Sequence, residues 1–171
     1  MDTLILLLLS VLPCLVIAAG LSDLTTMTIP NRISILLVLG FFPAAFAVGL
    51  TPGAVALHLG VGLAALFVGA GMFALRWIGG GDAKLMAASA LWLGLTGAGW
   101  FLAWTGLAGG LFCLALIFAR AYARPYVHQT PAWTQRLLEP KGDIPYGVAI
   151  AAGALMAFPS SAMMSAFTGM F

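Results

Sequence analysis

Apolar residues run through this chain in long blocks, each closed by a short polar or turn-forming stretch. Crossing the ~30 Å hydrocarbon layer of a bilayer takes roughly 20 apolar residues per helix. Divided at its turn-forming residues, the sequence gives six such runs, at 3–21, 33–50, 54–75, 83–96, 99–119 and 144–167. The fourth is short and polar at its N-terminal end. It is expected to start below the bilayer surface, with Gly79-Gly80-Gly81 as an irregular segment lining a wet cavity walled by protein. Small residues recur at helical spacing, as in Gly60, Ala64 and Val68 or Gly62, Ala65 and Gly69, so helix backbones can approach closely.

Charge then orients these runs. Thr51-Pro52-Gly53 and Gly97-Ala98 are tight uncharged connections, whereas 25–32, 76–84 and 120–143 hold all the basic residues. These are Arg32, Arg76, Lys84, Arg120, Arg124, Arg136 and Lys141. With six alternating spans all of them fall on one side, which the positive-inside rule makes cytoplasmic. Both termini then face outward. The 120–143 connection, with Tyr122, Tyr126, Trp133 and its arginines, is expected to lie along the headgroups. The first run lacks the basic n-region of a secretory signal, offering Asp2 instead, and reads as a retained helix.

Composition excludes a water-soluble core, since 63% of residues are hydrophobic and only 7% charged. The expected fold is therefore an all-α integral membrane protein, a bundle of six transmembrane helices in a single domain over residues 1–171. Its partner is the lipid bilayer. A net charge of +2 implies no nucleic-acid partner. Cys14 and Cys113 stand alone in apolar runs, with no second cysteine or nearby histidine to complete a metal-ligand set, and read as buried structural thiols. The pattern leaves the oligomeric state undetermined.

Acidic residues near hydrocarbon are costly, so each needs a reason to be there. Asp2 lies at the terminus and Glu139 in the long loop, which leaves Asp23, Asp82 and Asp143. Asp23 closes the first run. After it, Leu24-Thr25-Thr26-Met27-Thr28 leads to Ile29-Pro30-Asn31, where Pro30 suits the first turn of the next helix. Asp82 follows three glycines and opens the fourth run, where unpaired N–H groups and the helix dipole favour a carboxylate. For an isolated Gly-Asp a plain helix cap is the readier explanation. Two aspartates on the same side of the membrane also suit peptide hydrolysis. One carboxylate draws a proton from water while its protonated partner polarises the scissile carbonyl. Two carboxyls within hydrogen-bond reach share a proton and titrate as a unit. Glycines ahead of Asp82 let an extended substrate backbone approach.

Gly79-Gly80-Gly81-Asp82-Ala83-Lys84-Leu85 resembles the GxGD signature of membrane aspartyl proteases. Together with Asp23 and Ile29-Pro30-Asn31, and with Ile144-Pro145-Tyr146-Gly147 opening the last run, the chain resembles the type IV prepilin peptidases, in particular the compact branch serving tight-adherence (Flp) pili. That resemblance implies a multi-pass peptidase of the bacterial inner membrane. Asp23 and Asp82 would cut basic prepilin leaders at the cytoplasmic face, without metal or other cofactor. Longer relatives also methylate the new N-terminus and carry a cytoplasmic insertion with paired cysteines. Neither is present here, so protease activity without methyltransferase activity is expected. The 24–28 linker departs from the family's pattern in carrying no basic residue.

Around the pair, Lys84 is expected to hold the helix start or stabilise a carboxylate, and Asn31 to hydrogen-bond near Asp23. Pro145, Tyr146 and Gly147 are expected to shape the cleft wall. Asp143 competes for a catalytic role, because Gly142-Asp143 also begins a helix, but it lacks the glycine-rich approach. His58 near the outer interface and His128 in the loop read as structural or solvated. Two alternatives use the same acids. One is a small ion-coupled transporter or proton channel, against which stands their position at helix ends. The other is a presenilin-like intramembrane protease, against which stand the Ile-Pro-Asn and Pro-Tyr-Gly segments.

Overall fold

A computed structural model describes residues 2–122, 130–140 and 142–169. Arg124, Tyr126, His128 and Lys141, and the expectations attached to them, lie outside the described residues. The described chain is an all-helical membrane protein. Its helices are α1 (Asp2–Leu9), α2 (Val11–Thr26), α3 (Asn31–Ala47), α4 (Pro52–Ala74), α5 (Gly80–Tyr122), α6 (Ala132–Leu137), α7 (Gly147–Ala157) and α8 (Ala162–Thr168). Four stretches are long and apolar enough to cross a bilayer, namely Thr3–Thr26, Pro52–Ala74, Gly80–Tyr122 and Gly147–Thr168, with Asn31–Ala47 a shorter apolar helix. Large apolar side chains such as Phe46, Phe67 and Leu95 stand exposed on the outside of the bundle, a surface suited to lipid and not to water.

Several expected boundaries move, each for a local reason. The first run is broken at Ser10, because Pro13 has no N–H to donate to Leu9. It then continues past Leu21 to Thr26, so Asp23 lies inside the last turn of α2 and does not close the helix. Pro30 is the N-cap of α3 and not its first helical residue; its extended ψ of 132° starts the helix at Asn31. The last run begins at Gly147, three residues later than expected, and is interrupted by a 3-10 turn at Phe158–Ser160 that contains Pro159.

The expected Gly97-Ala98 connection is instead a reversal at Gly94, which takes φ 61° and ψ −169° inside α5. Both ends of α5 return to the start of α7, since Gly81 and Gly147 both lie against Ile29 and Gly109 lies against Tyr146. Before Gly94, Ala83 and Leu91 lie against Gly69 and Gly62 of α4. After it, Gly97, Thr105 and Gly109 lie against Ala157, Gly153 and Tyr146 in turn. Each arm is thus antiparallel to the helix it packs on. The ring of buried His58 occupies the inside of this bend, its Nδ1 2.7 Å from the Leu91 carbonyl oxygen. A Cβ on Gly94 would stand 2.6 Å from that ring. The positive φ and this contact together require glycine.

The core lies between α2, α3, α5 and α7, centred on Phe41, Trp92 and Ile150. Phe41 packs against His58 and edge-on to Trp92, and the Trp92 indole N–H donates to the Leu37 carbonyl at 2.8 Å. Only one of the two small-residue stripes is used in packing: Gly62 and Gly69 meet α5, while Gly60 has open space beside it. The cysteines differ from expectation, because Cys14 is exposed and Cys113 half-exposed. In a lipid-facing bundle, apolar side chains point outward as readily as inward.

Candidate active site

At the end of the bundle where α2 finishes and α5 and α7 begin, the 22–28 segment folds back on itself. Met27 takes a left-handed conformation, φ 56°, and its N–H donates to the Asp23 carbonyl. The Ser22 hydroxyl donates to the Thr28 carbonyl at 2.9 Å, and the Thr26 hydroxyl to that of Ser22 at 2.7 Å. These hydroxyls hold the linker in which basic residues were expected. The fold-back carries Ile29 into the space between two glycines. Added Cβ atoms on Gly81 and Gly147 would stand 3.1 Å from Ile29 Cβ and 2.9 Å from Ile29 Cδ1, respectively.

Asp23 is buried, 6% exposed. Its Oδ2 accepts the backbone N–H of Gly147, the first residue of α7, at 2.7 Å. A carboxylate in the last turn of α2 faces the negative end of its own helix, and the positive end of α7 supplies the compensating dipole. Asp82 is the third residue of α5, and its Oδ2 accepts the Gly79 N–H at 3.0 Å. This is half of a capping box, so Asp82 does cap its helix. Each carboxylate is therefore fixed through one oxygen at a helix N-terminus. Neither Oδ1 holds a hydrogen bond among the described residues. The segments that carry them meet at Ile29, which lies against both Gly81 and Gly147.

The glycines ahead of Asp82 are less irregular than expected. Gly80 and Gly81 belong to the first turn of α5, and only Gly79 precedes it. None of the three takes a positive φ; they serve close approach. A Cβ on Gly79 would stand 2.9 Å from Asp82 Oδ2, and one on Gly80 3.4 Å from Phe73.

Other expected participants sit elsewhere. Lys84 donates from Nζ to Asn31 Oδ1 at 2.9 Å, tying α5 to α3 and engaging neither aspartate, and this bond also takes the Asn31 amide oxygen away from Asp23. Pro145 is buried, while Tyr146 is the N-cap of α7 and lays its ring over Gly109 on the second arm of α5. Asp143 is exposed, and Arg120 holds it only by its backbone carbonyl, at 2.8 Å, while a second N–H of Arg120 reaches the Leu137 carbonyl. Sequence reasoning missed the wedge at Ile29 and the anchoring N–H of Gly147. That a helix opens at Gly147 was a usable signal, though nothing local named Asp23 as its partner.

The model of the type IV leader peptidase family matches residues 10–114, a stretch holding both aspartates and the glycines before Asp82. The chain belongs to the type IV leader peptidase family. No curated protein and no solved structure matches it. In this leader peptidase the match ends before Pro145-Tyr146-Gly147, so the anchoring of Asp23 by Gly147 is an observation of the fold alone.

Proposed function

We propose that this chain is a prepilin leader peptidase of the compact tight-adherence branch, cutting the basic leader from its substrate with Asp23 and Asp82. Family membership supports the peptidase reading. The observation that carries the assignment of the pair is their convergence about Ile29, each carboxylate fixed by one backbone N–H and each with its second oxygen free of such bonds. In the reaction, one carboxylate takes a proton from water as the water oxygen bonds to the scissile carbon. The protonated partner donates to the carbonyl oxygen. Collapse then breaks the C–N bond, and the proton goes to the departing amine.

The protein is read as a six-pass bundle of the bacterial inner membrane, with both termini outside and the aspartates at the cytoplasmic rim. Alternation of helix direction, with the reversal at Gly94, supports that reading, as does the placement of Arg32, Arg76, Lys84 and Arg120 at one end. Without the cysteine-bearing insertion of longer relatives, it cleaves and does not methylate.

The test is to reconstitute the purified protein in vesicles with a prepilin and to sequence the N-terminus of the product. Wild type and Asp143→Asn are expected to release the same mature pilin, unmethylated. Proton flux across the vesicles with no cleavage would replace this reading with the transporter.

A further inference from the structure

On the flank of the bundle, an open groove of about 570 Å³ runs between α3, α4 and the first arm of α5. Its walls are apolar over most of their length, with Val38 and Leu39 on one side and Leu59 and Leu63 on the other. Its polar lining residues, Asn31, Ser34 and Lys84, gather at the end where α3 and α5 begin. From Asn31 to Leu39 the groove follows α3 for about 12 Å at ~1.5 Å per residue. One leaflet of hydrocarbon is about 15 Å deep. The groove therefore has the depth of a single leaflet, with its polar end toward the surface near the aspartates.

Two features of that end remain unmatched among the described residues. Lys84 gives one N–H to the neutral amide of Asn31 and pairs with no carboxylate among the described residues, which leaves a cation with two further donors. One turn deeper, Ser34 is 8% exposed and its Oγ has no hydrogen-bond partner among the described residues. A buried hydroxyl without a partner is uncommon, and here its residue lines a groove.

We propose that this groove binds a phospholipid of the leaflet on the aspartates' side, its anionic headgroup on Lys84 and Asn31 and an acyl chain between α3 and α4. The Ser34 hydroxyl donates to an ester oxygen beneath the headgroup. Charge and depth select this occupant over a hydrophobic segment of the substrate. At 3.6 residues per turn, Lys84, Ala87, Ala88 and Leu91 lie on the opposite side of the helix from Asp82, about 180° around it. A substrate helix in the groove would have the backbone of α5 between its scissile bond and the carboxylates. A lipid there needs no access to them, so the inference stands independently of the peptidase reading.

Native mass spectrometry of the full detergent-purified chain tests it, with phosphatidylglycerol, phosphatidylcholine of the same acyl chains, and inorganic phosphate as probes. Wild type is expected to retain phosphatidylglycerol about fivefold better than phosphatidylcholine, the preference one basic residue confers at an anionic surface. Lys84→Met should abolish the preference and Lys84→Arg keep it. Leu63→Trp, at a lipid-exposed position, should fill the groove and lower retention of both lipids. Equal retention by wild type, a preference surviving Lys84→Met, or displacement of lipid by inorganic phosphate or by a pilin hydrophobic peptide would overturn the proposal.

Discussion

Gly147 gives its backbone N–H to the carboxylate of Asp23 at 2.7 Å, joining the last turn of α2 to the first turn of α7. This bond explains how an acidic side chain is held at the unfavourable end of its own helix. It also explains the glycine, since a Cβ there would stand 2.8 Å from Asp23 Oδ2 and 2.9 Å from Asp23 Cβ. Gly147→Ala is expected to push the carboxylate out of place. Overpacking of this kind typically costs ~1–3 kcal/mol. Prepilin cleavage should fall at least tenfold while the protein still purifies as a folded species. Wild-type rates in Gly147→Ala would show that the position tolerates a side chain.

Asp82 caps α5 as well as serving the proposed chemistry, and two substitutions separate those roles. In Asp82→Asn the amide oxygen can still accept from Gly79, so cleavage should be lost with little change in the unfolding midpoint. Asp82→Ala removes the cap too and should be less stable by ~1 kcal/mol. Equal unfolding midpoints for the two variants would count against the capping bond.

The bend at Gly94 should be sensitive to any side chain. Gly94→Ala must hold φ near 61° with its Cβ against His58, and His58→Ala leaves the buried Leu91 carbonyl without its partner. An unpaired buried group costs ~1–3 kcal/mol. Thermal unfolding should register both, whereas Gly99→Ala, with nothing within 4 Å of the new Cβ, should unfold as wild type does.

The proposed six-pass arrangement predicts which surfaces share a side. In a chain freed of Cys14 and Cys113, single cysteines at Thr25 and Trp77 should react with a membrane-impermeant reagent only from the cytoplasmic side. One at Gly53 should react only from outside. Gly53 and Trp77 labelling from one side would break the alternation.

Much of this architecture is legible in the sequence, because a bilayer leaves the backbone few options. Long apolar runs mark the helices, and Thr51-Pro52-Gly53 marks a connection whose Thr51 side chain caps α4 as a turn residue should. What escaped notice depended on contacts distant in the chain. Leu93-Gly94-Leu95 reads as helix interior, and only the His58 ring at the bend shows why the chain turns there and not at Gly97. Lys84 looked available to a carboxylate because it follows Asp82 by two residues. On a helix that spacing turns it away, toward Asn31. Asp23 and Asp82 could be singled out as costly acids, but Ile29 as the side chain wedged between their segments could not be inferred from one chain without its fold.

The most direct measurement is the rate of prepilin cleavage by purified Asp23→Asn and Asp82→Asn, each shown to be folded, beside wild type. Asparagine keeps the size and polarity of each group and removes its proton chemistry. If the two carboxylates act as a pair, each variant alone loses cleavage essentially completely, by about 10³-fold or more as expected for general acid–base groups acting as a unit. Either variant cutting at more than a few per cent of the wild-type rate would contradict that pairing.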